Sequence, residues 1–317
     1  MKAFILPKLS RFFKLASYFY IFLRYYYLIY RLKDLKTNIS DTDECIIVGN
    51  GPSLNESLKE DFDFINTKKI FCVNDFSRSD YYEKLKPSFY VLTDPAFWEK
   101  YAQVIIDDIK NNNTAKYNKT KVDHYKGTIE TIESTFNNII EKTKWNLNLF
   151  VPLQSKPTKI FDKIAEINRN IKIHYYLMTP INFKIEIIRH KFYKLNLGMP
   201  TPQTVMIAAI FLALNINFKK IYLIGVDHSW HEYLVVDQNN CLHVKDYHFY
   251  DKDKTTITPL LKDKEVRTTV KIHEQFYALY IAFRSHILIE KYSKSIGAKI
   301  YNSSKKTYID AYDRYKL

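Results

Sequence analysis

Two of the chain's six glycines, Gly49 and Gly51, flank Asn50 directly after the short apolar run ECIIV, and Pro52 and Ser53 follow. Such a turn lets a backbone approach a ligand closely, and its N–H groups, with the N-terminus of a following helix, form an anion site. Pro52 is expected at the start of that helix, with the Ser53 hydroxyl beside the same site. The bland alternative is a plain strand-to-helix turn. A third glycine and a correctly spaced ribose acid are missing, so this is not the dinucleotide fingerprint, and no GKS or GKT marks a P-loop.

Polar residues also close other apolar runs: Asn74 and Asp75 after KKIFCV, Thr93 and Asp94 after PSFYVL, and Gly225, Asp227 and His228 after KKIYLI. In a parallel sheet, ligands bind outside the carboxyl ends of the strands. These residues are therefore predicted to rim one crevice with the GNGPS turn. Taken singly, each is as readily a helix cap or a turn former.

The elements that must place these residues are legible as short β-branched or aromatic runs between amphipathic stretches. Strands are expected at ECIIV, KKIFCV, PSFYVL, LNLFVPL, KIHYYLM and KKIYLI, with AKIYNSS as the last. TPQTVMIAAIFLALNI is apolar all round and reads as a buried helix. A long helix over about 270–296 is stopped by Gly297. The fold class is thus α/β: a doubly wound, mostly parallel Rossmann-type sheet with a lid insertion at about 228–270 and an N-terminal amphipathic helix.

Composition bounds the rest. With 317 residues, 46% of them hydrophobic and 26% charged, the chain is globular and long enough to fold without disulfide staples. Cys45, Cys72 and Cys241 fit no zinc spacing and read as reduced, structural thiols. The +14 net charge and 26 tyrosines suggest a nucleic-acid binder, but the tyrosines fall within apolar patterns and no RNA-binding motif occurs. Residues 1–38 form a first unit, basic and aromatic with no acid before Asp34. The uncharged stretch Leu15 to Leu23 is too short to span a bilayer, so an interfacial helix on an anionic membrane surface is expected. Residues 39–317 read as one domain.

DxD triplets at Asp41 to Asp43, Asp61 to Asp63 and Asp251 to Asp253 could hold magnesium, but none follows a core strand, so no metal is assigned. His228, His231, His243 and His248 lack regular ligand spacing. His286, mid-helix, is expected to be packed. Arg267, Lys271 and Arg284 are candidates to meet an acidic sugar or acceptor, with surface charge as the default.

The order IIVGNGPSL, FCVND, FYVLTDPAFW, then a buried helix leading to KKIYLIGVD, resembles glycosyltransferase family 42. These are bacterial sialyltransferases with a GT-A-like fold that use CMP-N-acetylneuraminate. The stretches GVDHS and IYNSSKKTYIDAYDR are also similar to a related domain family of bacterial polysaccharide loci. The resemblance spans roughly 45 to 315 and is concentrated in the motifs. It implies that Gly49, Asn50, Gly51, Pro52, Ser53 and Asn74 hold CMP, and that Asp94 stands where the family has Asn. It further implies that Tyr233 meets the leaving phosphate, with Ser229 in the place of a second lid tyrosine, and that a histidine is the catalytic base. His248 and His273 both fit that last role.

The expected activity is transfer of sialic acid or another ulosonic acid from a CMP-sugar to a hydroxyl of a surface glycan or glycolipid, with no cofactor required and a divalent metal disfavoured. The expected place is the inner face of the bacterial cytoplasmic membrane, with homo-oligomerisation open and no nucleic-acid partner. The alternative is a pterin-type diphosphokinase using ATP and magnesium, to which the polysaccharide-locus relatives are linked by name.

Overall fold

The structure is a computed structural model and describes residues 42–98, 119–246, 256–263 and 268–317, with residues 19, 20, 23, 107, 110 and 111. Most of the basic N-terminal segment, His248, Arg267 and the triplet at 251–253 lie outside the described residues. Among those described, no helix is long and apolar enough to cross a membrane.

The expected apolar runs form strands β1 (Glu44–Val48), β2 (Lys69–Val73), β3 (Phe89–Val91), β4 (Leu147–Pro152), β5 (Ile171–Tyr176) and β6 (Lys220–Ile224). The insertion after β6 carries β7 (Leu234–Val236), β8 (Leu242–Asp246), β9 (Thr256–Pro259), β10 (Leu261–Asp263) and β11 (Thr268–Thr269). Two late strands, β12 (Lys299–Asn302) and β13 (Asp313–Arg314), return to the main sheet. Its order among the described residues is β13-β12-β6-β1-β2-β3-β4-β5, and every pairing is parallel.

Helices cover both faces, which makes the sheet doubly wound. They are α1 (Leu54–Glu60), α2 (Phe62–Asn66), α3 (Tyr82–Leu85), α4 (Lys119–Lys142), α5 (Ile160–Ile167), α6 (Glu186–Lys194), α7 (Val205–Ile216) and α8 (Ile272–Ser295). Side chains alternate across a strand, so Ile46 and Val48 of β1 join the core under α1, α4 and α5. Cys45 and Ile47 join the opposite core with α7 and α8. Ten residues of α7 are buried, as its apolar circumference requires. Gly297, at φ +67, follows the end of α8.

Two expectations are corrected. The helix after the glycine turn begins at Leu54, so Pro52 lies in the turn and not in the helix. AKIYNSS is not the last strand, because Asp313–Arg314 pairs outside it. The lid insertion carries strands of its own: β7, β8 and β9 form an antiparallel sheet and β10 pairs with β11. Its strands are short, and neighbouring residues such as Val235 and Val236 are both exposed, so no two-residue burial period marks them.

Candidate functional site

After laying β2 to β5 on one side of β1, the chain crosses back and lays β6 on the other. That reversal opens a crevice beyond the carboxyl ends of β1 and β6, where doubly wound sheets bind ligands. A cavity of about 550 Å³ lies there. Its wall includes Gly49, Asn50, Gly51, Pro52, Asn74, Asp75, Thr93 and Asp94, and on the other side Gly225, Asp227, His228 and Tyr233. Residues from four strand ends, far apart in the chain, thus meet as the sequence predicts.

The glycines do something other than expected. Gly49 donates its N–H to the Ile224 carbonyl and Gly51 to the Gly225 carbonyl, both at 2.8 Å. A Cβ on Gly49 would stand 2.4 Å from the Gly225 oxygen, and one on Gly51 2.4 Å from Asp227 Oδ1. Gly225, at φ +62, is pressed against Leu54. The close approach these glycines permit is between the β1 and β6 turns.

Ser53, at the N-terminus of α1, is also occupied. Its N–H donates to Asp227 Oδ2 at 2.9 Å and its hydroxyl to Asp227 Oδ1 at 2.5 Å. Burial raises the Asp227 pKa, and the two Ser53 bonds oppose that rise. The Asp227 carboxylate thus takes the two Ser53 donors of the anion site expected at residues 49–53, while backbone carbonyls take the Gly49 and Gly51 N–H groups.

A second helix N-terminus reaches the same cavity. Gln203, Thr204, Val205 and Met206 line it. The first N–H groups of a helix have no intrahelical acceptor, and Thr204 at the N-cap of α7 makes no side-chain capping bond. The Thr204 hydroxyl oxygen is buried without a partner among the described residues. Sequence reasoning missed this donor set, although the signal was present: Thr204 immediately precedes an apolar run, which is an N-cap signature.

The strand-end residues divide between structural and cavity-facing roles. Asp94 accepts the Ala96 N–H at 2.8 Å and caps the short turn at Pro95–Phe97. Thr93 shares a hydrogen bond with the Tyr176 hydroxyl at 3.1 Å. Asp75 Oδ1 accepts from the Thr135 hydroxyl at 3.4 Å. Asn50 donates its amide to the Val73 carbonyl at 3.2 Å, which leaves Oδ1 as its acceptor atom. The amide oxygens of Asn50 and Asn74 are both buried without a partner among the described residues.

The loop after β6 is braced by the segment following β12. Val226 donates its N–H to Ser304 Oγ at 2.9 Å, Thr307 Oγ1 donates to the Val226 carbonyl at 2.9 Å, and Tyr308 donates its N–H to the Asp227 carbonyl at 2.9 Å. Lys306 pairs with Glu232 at 2.5 Å and so ties down the short helix Trp230–Tyr233 that carries Tyr233.

Among the described residues, His228, His231 and His243 do not converge on one point. His228 lines the cavity and lies 2.9 Å from His286 between Nε2 atoms. His231 packs on Tyr308, and His243 Nδ1 lies 3.0 Å from the Cys241 carbonyl. His273 is exposed in the first turn of α8 and is not part of the cavity wall. Among the described residues, no group of three or more His, Cys, Asp or Glu side chains converges as a metal site requires. Asp61, of the second DxD, pairs with Lys305 at 2.8 Å.

No protein-family model and no curated protein matches the chain. Among solved structures it is similar to a MAf glycosyltransferase from Magnetospirillum magneticum AMB-1, at 12% identity and a TM-score of 0.44. That match covers 87% of this chain and 34% of the other, so the chain spans about a third of that structure's length. The resemblance to glycosyltransferase family 42 rests on the motifs alone.

Proposed function

We propose that the cavity binds a CMP-activated sugar, sialic acid or another ulosonic acid, and that the protein transfers that sugar to a hydroxyl of a bacterial surface glycan or glycolipid. The observation that carries this reading is the opening of the uncapped α7 N-terminus into the same cavity as the buried, unpartnered amide oxygens of Asn50 and Asn74. Helix N-termini attract phosphate and carboxylate groups. The two amide oxygens need donors, which a cytosine amino group and ribose hydroxyls supply. Asp227 on the opposite wall disfavours a polyphosphate and suits a nucleoside monophosphate.

The chemistry follows from these parts. The phosphate leaves with the electron pair of the glycosidic bond, and the α7 N–H groups and the Tyr233 hydroxyl stabilise the charge that develops. An acceptor hydroxyl attacks the opposite face of the oxocarbenium-like centre, inverting it, and gives its proton to a histidine. Charge stabilisation by fixed donors leaves no step for which a divalent cation is required. In this reading residues 1–38 hold the 39–317 domain on the inner face of the bacterial cytoplasmic membrane, near its lipid-linked acceptor.

Calorimetric titration with CMP, UDP, ADP and GDP, with and without magnesium, tests the proposal. Selective, EDTA-resistant CMP binding is expected. Preference for a purine nucleotide, or strict magnesium dependence, would replace it with the diphosphokinase reading.

A further inference from the structure

His228 sits at the cavity in the left-handed backbone region, at φ +50, which few side chains adopt without cause. Its Nε2 lies 2.9 Å from Nε2 of His286, and Nδ1 of His286 lies 2.8 Å from the Tyr312 hydroxyl. All three are buried, His286 completely. Trp230 and Phe283 pack on the His228 ring. Tyr312 lines a second depression, at the surface formed by residues 305–314. A file of exchangeable protons therefore runs from the cavity through His286 to Tyr312, a buried residue that borders this second depression.

Two neutral rings facing each other through Nε2 hold one proton between them, so their tautomers are complementary. If His228 carries the Nε2 proton, then His286 accepts it, donates from Nδ1 to Tyr312, and leaves Nδ1 of His228 as a lone pair. If Tyr312 donates instead, every proton in the file is reversed. Burial holds both imidazoles neutral, with His286 down to about 3. An isolated histidine in that setting would be a poor base, since it would have to hold an imidazolium out of water. A second ring removes the difficulty, because the first can release one proton as it gains another.

We propose that His228 is the base of this site and that His286 and Tyr312 relay its proton to the surface. The inference rests on the transferase reading for the identity of the hydroxyl and deepens it. The acceptor O–H bond breaks as the new C–O bond forms, and its proton goes to Nδ1 of His228. The Nε2 proton of His228 passes to Nε2 of His286, the Nδ1 proton of His286 passes to the Tyr312 oxygen, and the Tyr312 proton leaves to water. No ring carries charge at the end, and the phosphate keeps the electron pair of the broken bond. His228 then takes the role for which the sequence offered His248 and His273. His286 and Tyr312 are positioning residues.

Two measurements on the full chain test this separately. Long-range proton–nitrogen correlation spectra of histidine-labelled protein report the tautomer of each ring without any substrate. Complementary neutral tautomers are expected at His228 and His286, and Tyr312→Phe is expected to change the signature of His228, which Tyr312 does not touch. An unchanged His228 spectrum in a folded Tyr312→Phe protein would overturn the relay. Release of CMP from CMP-N-acetylneuraminate, with water as acceptor, reports the chemistry. His228→Gln is expected to lower turnover about a hundredfold and Tyr312→Phe about tenfold, with KM and CMP affinity unchanged. Loss in His273→Ala with His228→Gln intact would also overturn the proposal. Wild-type protein that shows the tautomer coupling but releases no CMP would sink the transferase reading while the relay stands.

Discussion

The carboxylate of Asp227 takes both the backbone N–H and the hydroxyl of Ser53, two residues 174 positions apart in the chain. One side chain thereby caps α1, fixes the β6 turn against the β1 turn, and sets the charge of one cavity wall. Replacing it with Ala leaves two donors of the half-buried Ser53 without their acceptor. Asp227→Ala is expected to cost about 1–3 kcal/mol, and Asp227→Asn less, because one acceptor is retained. Urea unfolding checks this, and an unchanged midpoint in Asp227→Ala would show that the pair contributes nothing.

The glycines give a sharper contrast. A methyl at Gly51 would meet Asp227 Oδ1 at 2.4 Å and the Gly225 carbonyl at 2.7 Å, and the second of these is backbone. Gly297 has open space around its missing Cβ and only the strain of φ +67. Gly51→Ala is expected to destabilise by roughly 3 kcal/mol or more, and Gly297→Ala by about 1 kcal/mol. Thermal melting of both variants measures the difference. Equal shifts would mean that the β1 and β6 turns yield easily, against the packing described above.

The placement of the site was legible because parallel strands end in the same direction, so polar residues after apolar runs had to share one edge. Which atoms face the ligand was not legible. GNGPS looks the same whether its N–H groups point at a phosphate or at Ile224 and Gly225, since the outcome depends on a strand more than 170 residues later. The lid sheet was missed because its strands are short and adjacent residues such as Val235 and Val236 are both exposed, so no alternation marks them. His286 was expected to be packed and is, but its partners His228 and Tyr312 come from two other parts of the chain. No local spacing announces such a file.

The α7 N-terminus offers a test in which binding and stability separate. The Thr204 hydroxyl has no partner among the described residues, so Thr204→Val removes an unsatisfied group and keeps the shape. Stability is expected to hold within about 0.5 kcal/mol or to rise. CMP affinity is expected to fall roughly five- to tenfold, about 1–1.4 kcal/mol, as one donor to an anionic group is lost. Unaltered CMP affinity in this variant would place the phosphate elsewhere.

The last expectation concerns acid. Burial lowers His174 and His286 to about 3 from the ordinary 6.5, and Lys172 adds to the effect at His174. In the unfolded chain both rings take up protons as pH falls through about 6.5, while in the folded protein they stay neutral. The unfolded state then binds more protons, so stability is complete above 6.5 and declines as pH falls from there toward 3. Each ring contributes a slope of up to about 1.4 kcal/mol per pH unit well inside that window. Asp227, whose pKa is raised by burial, works in the opposite direction once the pH nears the carboxylate range. Urea midpoints at pH 7.5, 6.0 and 5.0 are expected to fall in order. In His174→Gln, which keeps an amide beside Asn148, the fall between pH 6.0 and 5.0 should shrink by about 1 kcal/mol. If wild type and variant lose stability in parallel, the half-buried ring at 174 is not held neutral as described here.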